Sequence, residues 1–548
     1  MKHKSGLLLF ICSILFSYGF AKTHNTLDKN KKISIEQWEV HDVVFHSKLK
    51  IEKPFNKKMF AKVVAKGKTQ NIPLFYNGNN TWILRYSSSE IGKKTYNISG
   101  DVKDLNGKNG VFIVTKNTKK NRHGGIVLNE TRPDKFFYED GTHYFNLAFE
   151  CDWLFALDYA KDDLKKTKHL LNLLDKNGYN QVVMNVYTYD VSWQKDPLLK
   201  EHPEHEYGGR DDVFPFLGSN TNPDFSALNV AFFNHFDKVI GEMHNKEIVS
   251  HLMIYVWNKL VNWPDMNTEA DNLYFDYVVK RYQAYPNVVW DVSKEALFYG
   301  RATKEYISNR IERIREADAF NRLVTVHDYG FCKSNSDEVD FISAQNWTHP
   351  LYRFMLDVKK KFPKKPIFNI EHGGYEESPY KVFPGDYTNA EACLRRNYMC
   401  LFAGAYTTHY WQGTSWNVVI HNPFEQPEDF YKPKFDYFKH MNSLFKKLPF
   451  ENFQPNPSMN SSGYNLLNKK DGMMLFYVPK ENHVVSIKGN ITKHFNWEKA
   501  TKQWFNTLTG EFSEVRNYEK KRSDFYPWQP WRGEVDAILI IRGLESVD

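Results

Sequence analysis

The order of apolar and polar positions changes rhythm twice along the 548-residue chain. Between residues 30 and 120 apolar side chains alternate with polar ones: Trp82, Leu84 and Tyr86 share one strand face, as do Tyr96 with Ile98 and Val111 with Ile113. Asn77-Gly78, Gly92, Gly100 and Gly107 separate the runs as turns, and this alternation with regular breaks predicts a β-sandwich. Residues 455–545 return to the same style, with strands expected over 474–478, 484–487 and 537–541, and form a second sandwich. From 135 to 450 short apolar runs alternate instead with helical periods. A helix is expected over 162–176, where Leu170, Leu171, Leu173 and Leu174 cluster and Gly178 follows as a C-terminal cap; Ile307, Ile311 and Ile314 mark another. Buried strands are expected over 144–148, 181–186, 251–256, 287–291, 323–327, 340–345, 366–371 and 405–411. Eight strand-helix units in roughly 310 residues predict an α/β fold, a (β/α)8 TIM barrel flanked by N-terminal and C-terminal β-sandwich domains.

The first 21 residues read as a signal peptide. Lys2 and Lys4 precede an apolar run from Gly6 to Phe20, and Gly19-Phe20-Ala21 offers small residues for cleavage after Ala21, which makes the product secreted or periplasmic. No later apolar run is long enough to span a bilayer, so no transmembrane segment is expected. Cys151, Cys332, Cys393 and Cys400 are too scattered for a disulfide framework or a zinc site, and Cys393 and Cys400 read as buried apolar residues. The formal charge of +8 includes Lys2 and Lys4 and is spread among acids, so a nucleic-acid partner is not expected. Aromatic residues reach 16%, with 14 Trp, 32 Tyr and 41 Phe, more than packing alone needs.

A barrel places its active site at the C-terminal ends of its strands. Those ends carry Glu150 and Asp152, Asn185 and Tyr187, Trp257, Lys294 and Glu295, His327, Gln345, Glu371 and Trp411, with Tyr375 just beyond the seventh strand. Glu295 follows strand four and Glu371 ends strand seven, so two carboxyls face each other across the mouth. Such a pair at about 5–5.5 Å equips a retaining glycosidase, one protonating the leaving oxygen and the other attacking the anomeric carbon. Trp153, Tyr187, Trp193, Trp257, Trp347, Tyr375, Trp411 and Trp416 fall at or just past strand ends, where aromatic rings suit the apolar face of a sugar. Each residue also has a plainer reading, a surface Glu, a capping His327 or a core Trp411. His202-Pro203-Glu204-His205-Glu206 is rich in metal-ligand types, but its spacing is not that of a zinc protease and it reads as a polar loop. No nucleophile elbow, phosphate loop or dinucleotide turn occurs, and no cofactor is expected.

Residues 284–291 followed by Glu295, the run 323–327 ending in His327, and the run 366–376, Pro-Ile-Phe-Asn-Ile-Glu-His-Gly-Gly-Tyr-Glu, resemble the barrel signatures of secreted bacterial proteins of the clan A glycoside hydrolase superfamily. The chain is similar to the group with an N-terminal immunoglobulin-like domain, an apiosidase-like barrel and a C-terminal sandwich of the kind labelled collagen-binding. Residues 72–78 and 80–86 carry the likeness at the front, residues 504–511 at the rear. The resemblance implies Glu295 as acid/base, Glu371 as nucleophile and Trp411 as the aromatic of strand eight. Many clan A enzymes hold Asn immediately before the acid/base, to bond the 2-hydroxyl of the sugar, whereas here Lys294 stands there. Either Lys294 contacts an anionic sugar or the site is organised differently.

Taken together, these features lead to the expectation of an exported retaining glycoside hydrolase acting on a plant or algal polysaccharide or its oligosaccharides, an anionic one among the candidates. Lys294, His327, Gln345, Asn185, Tyr187, Trp257, Trp411 and Tyr375 are its candidate substrate contacts. Two alternatives stay open: a noncatalytic carbohydrate-binding or adhesion protein on a barrel scaffold, and a polysaccharide lyase.

Overall fold

The computed structural model describes residues 32–190, 194–257, 260–373, 389–411, 414, 434–459, 464–488, 493–519 and 521–547. The signal segment and Trp193, Tyr375 and Trp416 lie outside the described residues.

The front of the chain folds into two sheets. Lys32–Glu36, Asn109–Thr115, Gly92–Gly100, Met59–Ala65 and Lys68–Pro73 lie side by side in that order, while His41–His46, Thr81–Tyr86 and Phe75–Tyr76 make a three-stranded sheet. The sheets enclose a core in which Phe45, Trp82 and Leu84 from one meet Ile35, Ala61, Ile98 and Phe112 from the other. The alternation read from the sequence is real, but in Asn109–Thr115 the buried side chains are Phe112 and Val114, and Val111 with Ile113 form the outer face. Parallel pairing of Val114 with Ile35 turns that set inward.

The middle of the chain supplies eight parallel strands: β1 Ala148–Glu150, β2 Gln181–Asn185, β3 Val249–Val256, β4 Val288–Lys294, β5 Val324–His327, β6 Ile342–Gln345, β7 Ile367–Glu371 and β8 Tyr406–His409. Their ladder runs β5-β4-β3-β2-β1-β8-β7-β6. Across the remaining gap, between β5 and β6, Asp340 N–H donates to Val324 O (2.8 Å), Val324 N–H to Asp340 Oδ2 (2.7 Å) and Thr325 Oγ1 to Phe341 O (3.0 Å), which closes the sheet into a barrel. One helix follows each strand: α1 Lys165–Lys176, α2 Val230–Asn245, α3 Glu269–Tyr282, α4 Lys304–Ala317, α5 Tyr329–Ser334, α6 Leu351–Lys361, α7 Ala390–Phe402 and α8 Phe435–Lys446. Side chains of Asn229, Thr268, Thr303 and Asn389 accept backbone N–H groups at the starts of α2, α3, α4 and α7, satisfying donors that the helix cannot. Cys393 and Cys400 are fully buried on α7, and the four cysteines of the described residues are free thiols. No helix of the described residues is long and apolar enough to cross a membrane.

The first strand begins later than the expected 144–148. Asn180 accepts from Leu147 N–H (2.8 Å) and donates to Phe145 O (2.9 Å), and Asn146 donates to Thr407 O (3.2 Å), so side chains take over the partners a ladder would have used.

The rear of the chain builds a six-stranded sheet in the order Gln454–Pro455, Tyr464–Asn468, Met473–Val478, Ala537–Arg542, Thr501–Asn506, Arg516–Asn517. Met474, Phe476, Trp504, Leu539 and Ile541 fill one side of it. The strand expected over 484–487 does not form. Val484 makes an isolated bridge with Trp528, and the N–H groups of Val485 and Ile487 go to Pro527 O and Phe525 O.

Candidate active site

The two candidate glutamates reach the mouth through breaks in strand regularity. Side chains of a strand alternate between faces, and one extra residue reverses the set that follows. Between β4 and β5 the register steps from Asp291–Thr325 to Lys294–His327, three residues against two, so β4 carries the extra one. Asp291 points inward, where His251 Nε2 lies 3.1 Å from its carboxylate, and the added residue brings Lys294 inward as well. Glu295 then takes a left-handed backbone, φ 56°, and its N–H donates to His327 O (2.8 Å). A non-glycine residue rarely holds that conformation unless its surroundings impose it. Consecutive side chains thereby enter one cavity. Between β6 and β7 the register steps from Ala344–Asn369 to Gln345–Glu371, with the extra residue on β7. Phe368 packs against His251 inside the barrel while Asn369 faces Met355 of α6, so simple alternation would send Glu371 outward. The extra residue returns it to the mouth.

Gln345 joins the pair. Its amide nitrogen donates to Glu295 Oε1 at 3.0 Å and to Glu371 Oε1 at 3.1 Å. Those two oxygens therefore lie within about 6 Å of each other, near the separation of about 5–5.5 Å used by retaining glycosidases and below the roughly 6.5–9.5 Å of inverting ones. Trp347 Nε1 donates to the same Glu371 oxygen at 3.0 Å. The other oxygen of Glu371 faces Lys294 Nζ at 3.4 Å and His327 Nε2 at 3.7 Å. Glu295 is 8% exposed and Glu371 3%.

Lys294 is buried among acids, with its ammonium 2.8 Å from Glu150 and 3.6 Å from Asp152. Burial opposes its charge, but Asp152, Glu150 and Glu371 outweigh that and hold its pKa well above the usual lysine value. Glu150 goes the other way from an ordinary acid: burial first, then Glu371 and Asp152, push its carboxyl well above the usual range, and Lys294 opposes that rise. For His327, burial, Lys294 and His251 push the imidazole well below its usual value, and it stays neutral beside Glu371. Its Nδ1 lies 3.5 Å from Met253 Sδ.

The surrounding loops are pinned. Asp328 caps α5 by accepting from Phe331 N–H, and its second oxygen accepts from Leu297 and Phe298 N–H at 3.0 and 3.1 Å, which ties down the segment that follows Glu295. That segment exposes an aromatic pair, Phe298 and Tyr299, in edge-to-face contact at 5.1 Å. Arg396 on α7 donates to His372 O, Thr348 O and Asn346 O, binding the ends of β6 and β7 together.

Of the residues named from sequence, Lys294, Glu295, His327, Gln345 and Glu371 come together directly. Asn185, fully buried at the end of β2, has no hydrogen-bond partner for either amide atom. Tyr187 and Trp257 are packed in aromatic nests, Tyr187 edge-on to Phe155, Phe214 and Trp263, Trp257 beside Tyr255 and Trp263. Trp411 is fully buried in the barrel core, its carbonyl accepting from Thr414 N–H. Arg396 carried no functional reading in the sequence, although an arginine beside Cys393, Asn397 and Cys400 on a helix face that packs inward is a sign of buried bonding. His202, which precedes the turn Pro203–His205, and Glu204 and His205 within it bring their ligand atoms within 4.8 Å of one another and are the described residues that could hold a metal ion.

A parallel barrel that brings two glutamates, one just after β4 and one at the end of β7, to one mouth has the arrangement that glycoside hydrolases use. The chain belongs to the family of apiosidase-like catalytic domains, whose model matches residues 131–452. A second model, a domain of unknown function (DUF5060), matches residues 34–101. Among solved structures, one from Bacteroides vulgatus ATCC 8482, provisionally assigned as a glycoside hydrolase, superposes with a TM-score of 0.70 at 18% identity, covering 93% of this chain and 99% of that one. A glycoside hydrolase family 5 protein from the same organism matches with a TM-score of 0.54 at 18% identity over 77% of this chain and 94% of its own. These likenesses show the shared fold. No curated protein gives a significant match.

Proposed function

We propose that this chain is a secreted retaining glycoside hydrolase that cleaves a plant or algal polysaccharide or its oligosaccharides, with Glu295 as acid/base and Glu371 as nucleophile. The observation that carries the reading is the Gln345 amide bonded to both glutamates, which holds two carboxyls at a spacing suited to double displacement. In the first step Glu371 attacks the anomeric carbon while Glu295 gives its proton to the leaving oxygen. Water, deprotonated by Glu295, then releases the sugar from Glu371. Trp347 and Gln345 aim N–H groups at one Glu371 oxygen, and Lys294 stands at the other, so the nucleophile is oriented before substrate arrives. The exposed Phe298 and Tyr299 beside the acid/base suit stacking by further sugar units of a chain. The leader of Lys2, Lys4 and the apolar run supports export.

The test is a paired substitution. Glu371→Gln is expected to abolish turnover. Glu295→Gln is expected to spare an aryl glycoside with a very good leaving group and to fail on the natural polymer. Full activity of both variants on a responsive substrate would remove the assignment, and products with ultraviolet absorbance from a new double bond would point to a lyase.

A further inference from the structure

The polar groups beside Lys294 are not satisfied by one another. Asp152 is fully buried and neither carboxylate oxygen makes a hydrogen bond; Lys294 stands 3.6 Å away, beyond bonding distance. Asn185, also fully buried, leaves its oxygen and its nitrogen without a hydrogen bond. The second oxygen of Glu150 makes none either, nor does that of Glu371, which has Lys294 Nζ only at ion-pair distance, 3.4 Å. A buried polar atom without a partner bears the full cost of leaving water, so folded proteins keep such atoms where water or a ligand completes them. These atoms also converge. Glu150 pairs with Val183 and Cys151 N–H continues to Val183 O, so Asp152, two residues past Glu150, and Asn185, two residues past Val183, leave adjacent strands at the same end of the barrel. One ammonium, Lys294 Nζ, touches both Asp152 and Glu371, so the unpaired oxygens flank the nucleophile.

The charges decide what can enter. Lys294 is shared by Glu150, Asp152 and Glu371, and the neutral His327 adds no positive charge. A sugar carboxylate or sulfate would add another anion to a spot whose one ammonium is already divided among three acids. Sugar hydroxyls fit: they can donate to Asp152 and exchange both kinds of bond with the Asn185 amide.

We propose that the sugar unit seated against Glu371 is uncharged, and that Asp152 and Asn185 bind its hydroxyl groups. This rests on the glycoside hydrolase reading above and replaces the anionic sugar that Lys294 suggested in the sequence. In a retaining hydrolase the unit held by the nucleophile becomes the new reducing end. The full mature chain is therefore incubated with neutral polysaccharides (galactomannan, xylan, arabinogalactan) and with polygalacturonate and alginate, and new reducing ends are labelled with borodeuteride and identified by mass spectrometry. A neutral labelled sugar is expected; a labelled uronic acid formed without ultraviolet absorbance overturns the proposal while leaving the hydrolase reading intact, and one formed with it overturns both. If no polymer of either class is cleaved or retained on an affinity gel, both readings fall. On the polymer that responds, Asp152→Asn and Asn185→Ala should each lower kcat/KM roughly tenfold or more with Tm unchanged or raised. Unchanged kcat/KM, or a fall in Tm that accounts for the lost activity, would assign the two side chains to internal structure and overturn the proposal.

Discussion

Lys294 is the residue whose meaning changed most between sequence and structure. In the sequence it interrupts the Asn-Glu pair of many clan A enzymes and looks like a receptor for an anion. In the fold its ammonium is inside the protein, bonded to Glu150 and close to Asp152 and Glu371. Removing one member of a buried ion pair leaves the other as an uncompensated charge, at about 3–5 kcal/mol. Lys294→Met should therefore lower the free energy of unfolding in urea by about that amount. Adding Glu150→Gln should recover part of the loss, because it removes an acid that Lys294 served. A single variant with wild-type stability would show that the acids are protonated or hydrated without it. Sequence could place Lys294 at a strand end but not reveal its company, since Glu150 and Asp152 lie about 140 residues earlier in the chain and meet it only when β1 and β4 face one another.

At the scale of elements, the strands and helices were legible because apolar runs and helical periods are local. Their alternation located seven barrel strands near their observed bounds, and the Asn-mediated start of β1 and the isolated bridge at Val484 were missed because side chains and distant loops decide them. The glutamates were found from their strand ends, yet their inward aim depends on an extra residue in β4 and another in β7, which only pairing with the neighbouring strand exposes. The loop after β4 follows the same rule, since Asp328 binds it from the end of β5. Asp328→Ala removes acceptors from Leu297, Phe298 and Phe331 N–H. The lost cap alone is worth about 1 kcal/mol, so a modest fall in Tm is expected together with a clear fall in kcat at little-changed KM, as Glu295 loses its fixed position. A kcat equal to wild type would show that the left-handed Glu295 backbone holds itself.

Over the whole molecule, the front sheets and the barrel are joined by a buried charge network. Arg85 pairs with Asp42 at 2.8 Å and with Asp237 of α2 at 2.9 Å, and Arg281 of α3 pairs with Asp237 at 2.7 Å and reaches Asn77 at 2.8 Å. Burial alone would raise the Asp237 carboxyl, but Arg281 and Arg85 pull it well below the ordinary range. A depressed carboxyl stabilises the fold fully above its unfolded pKa, about 4, and loses that contribution as pH falls through the lower folded value. Arg85→Met should raise the Asp237 pKa and so shift the midpoint of acid unfolding to higher pH, measured by circular dichroism across pH 2–6 (about the carboxylate range). An unmoved midpoint would mean that Arg281 alone sets Asp237.

The strand Thr81–Tyr86 lies between these two bodies and is buried along its whole length. Trp82, Leu84 and Tyr86 belong to the core of the front sheets, while Ile83, with Phe75 of the adjacent strand, belongs to the core of the barrel. A module exchanged at the obvious linker would take Phe75 and Ile83 out of its neighbour's interior. Shuffling of such domains between relatives, by evolution or by design, must therefore transfer this strand's two faces as one inheritance or rebuild both interiors together.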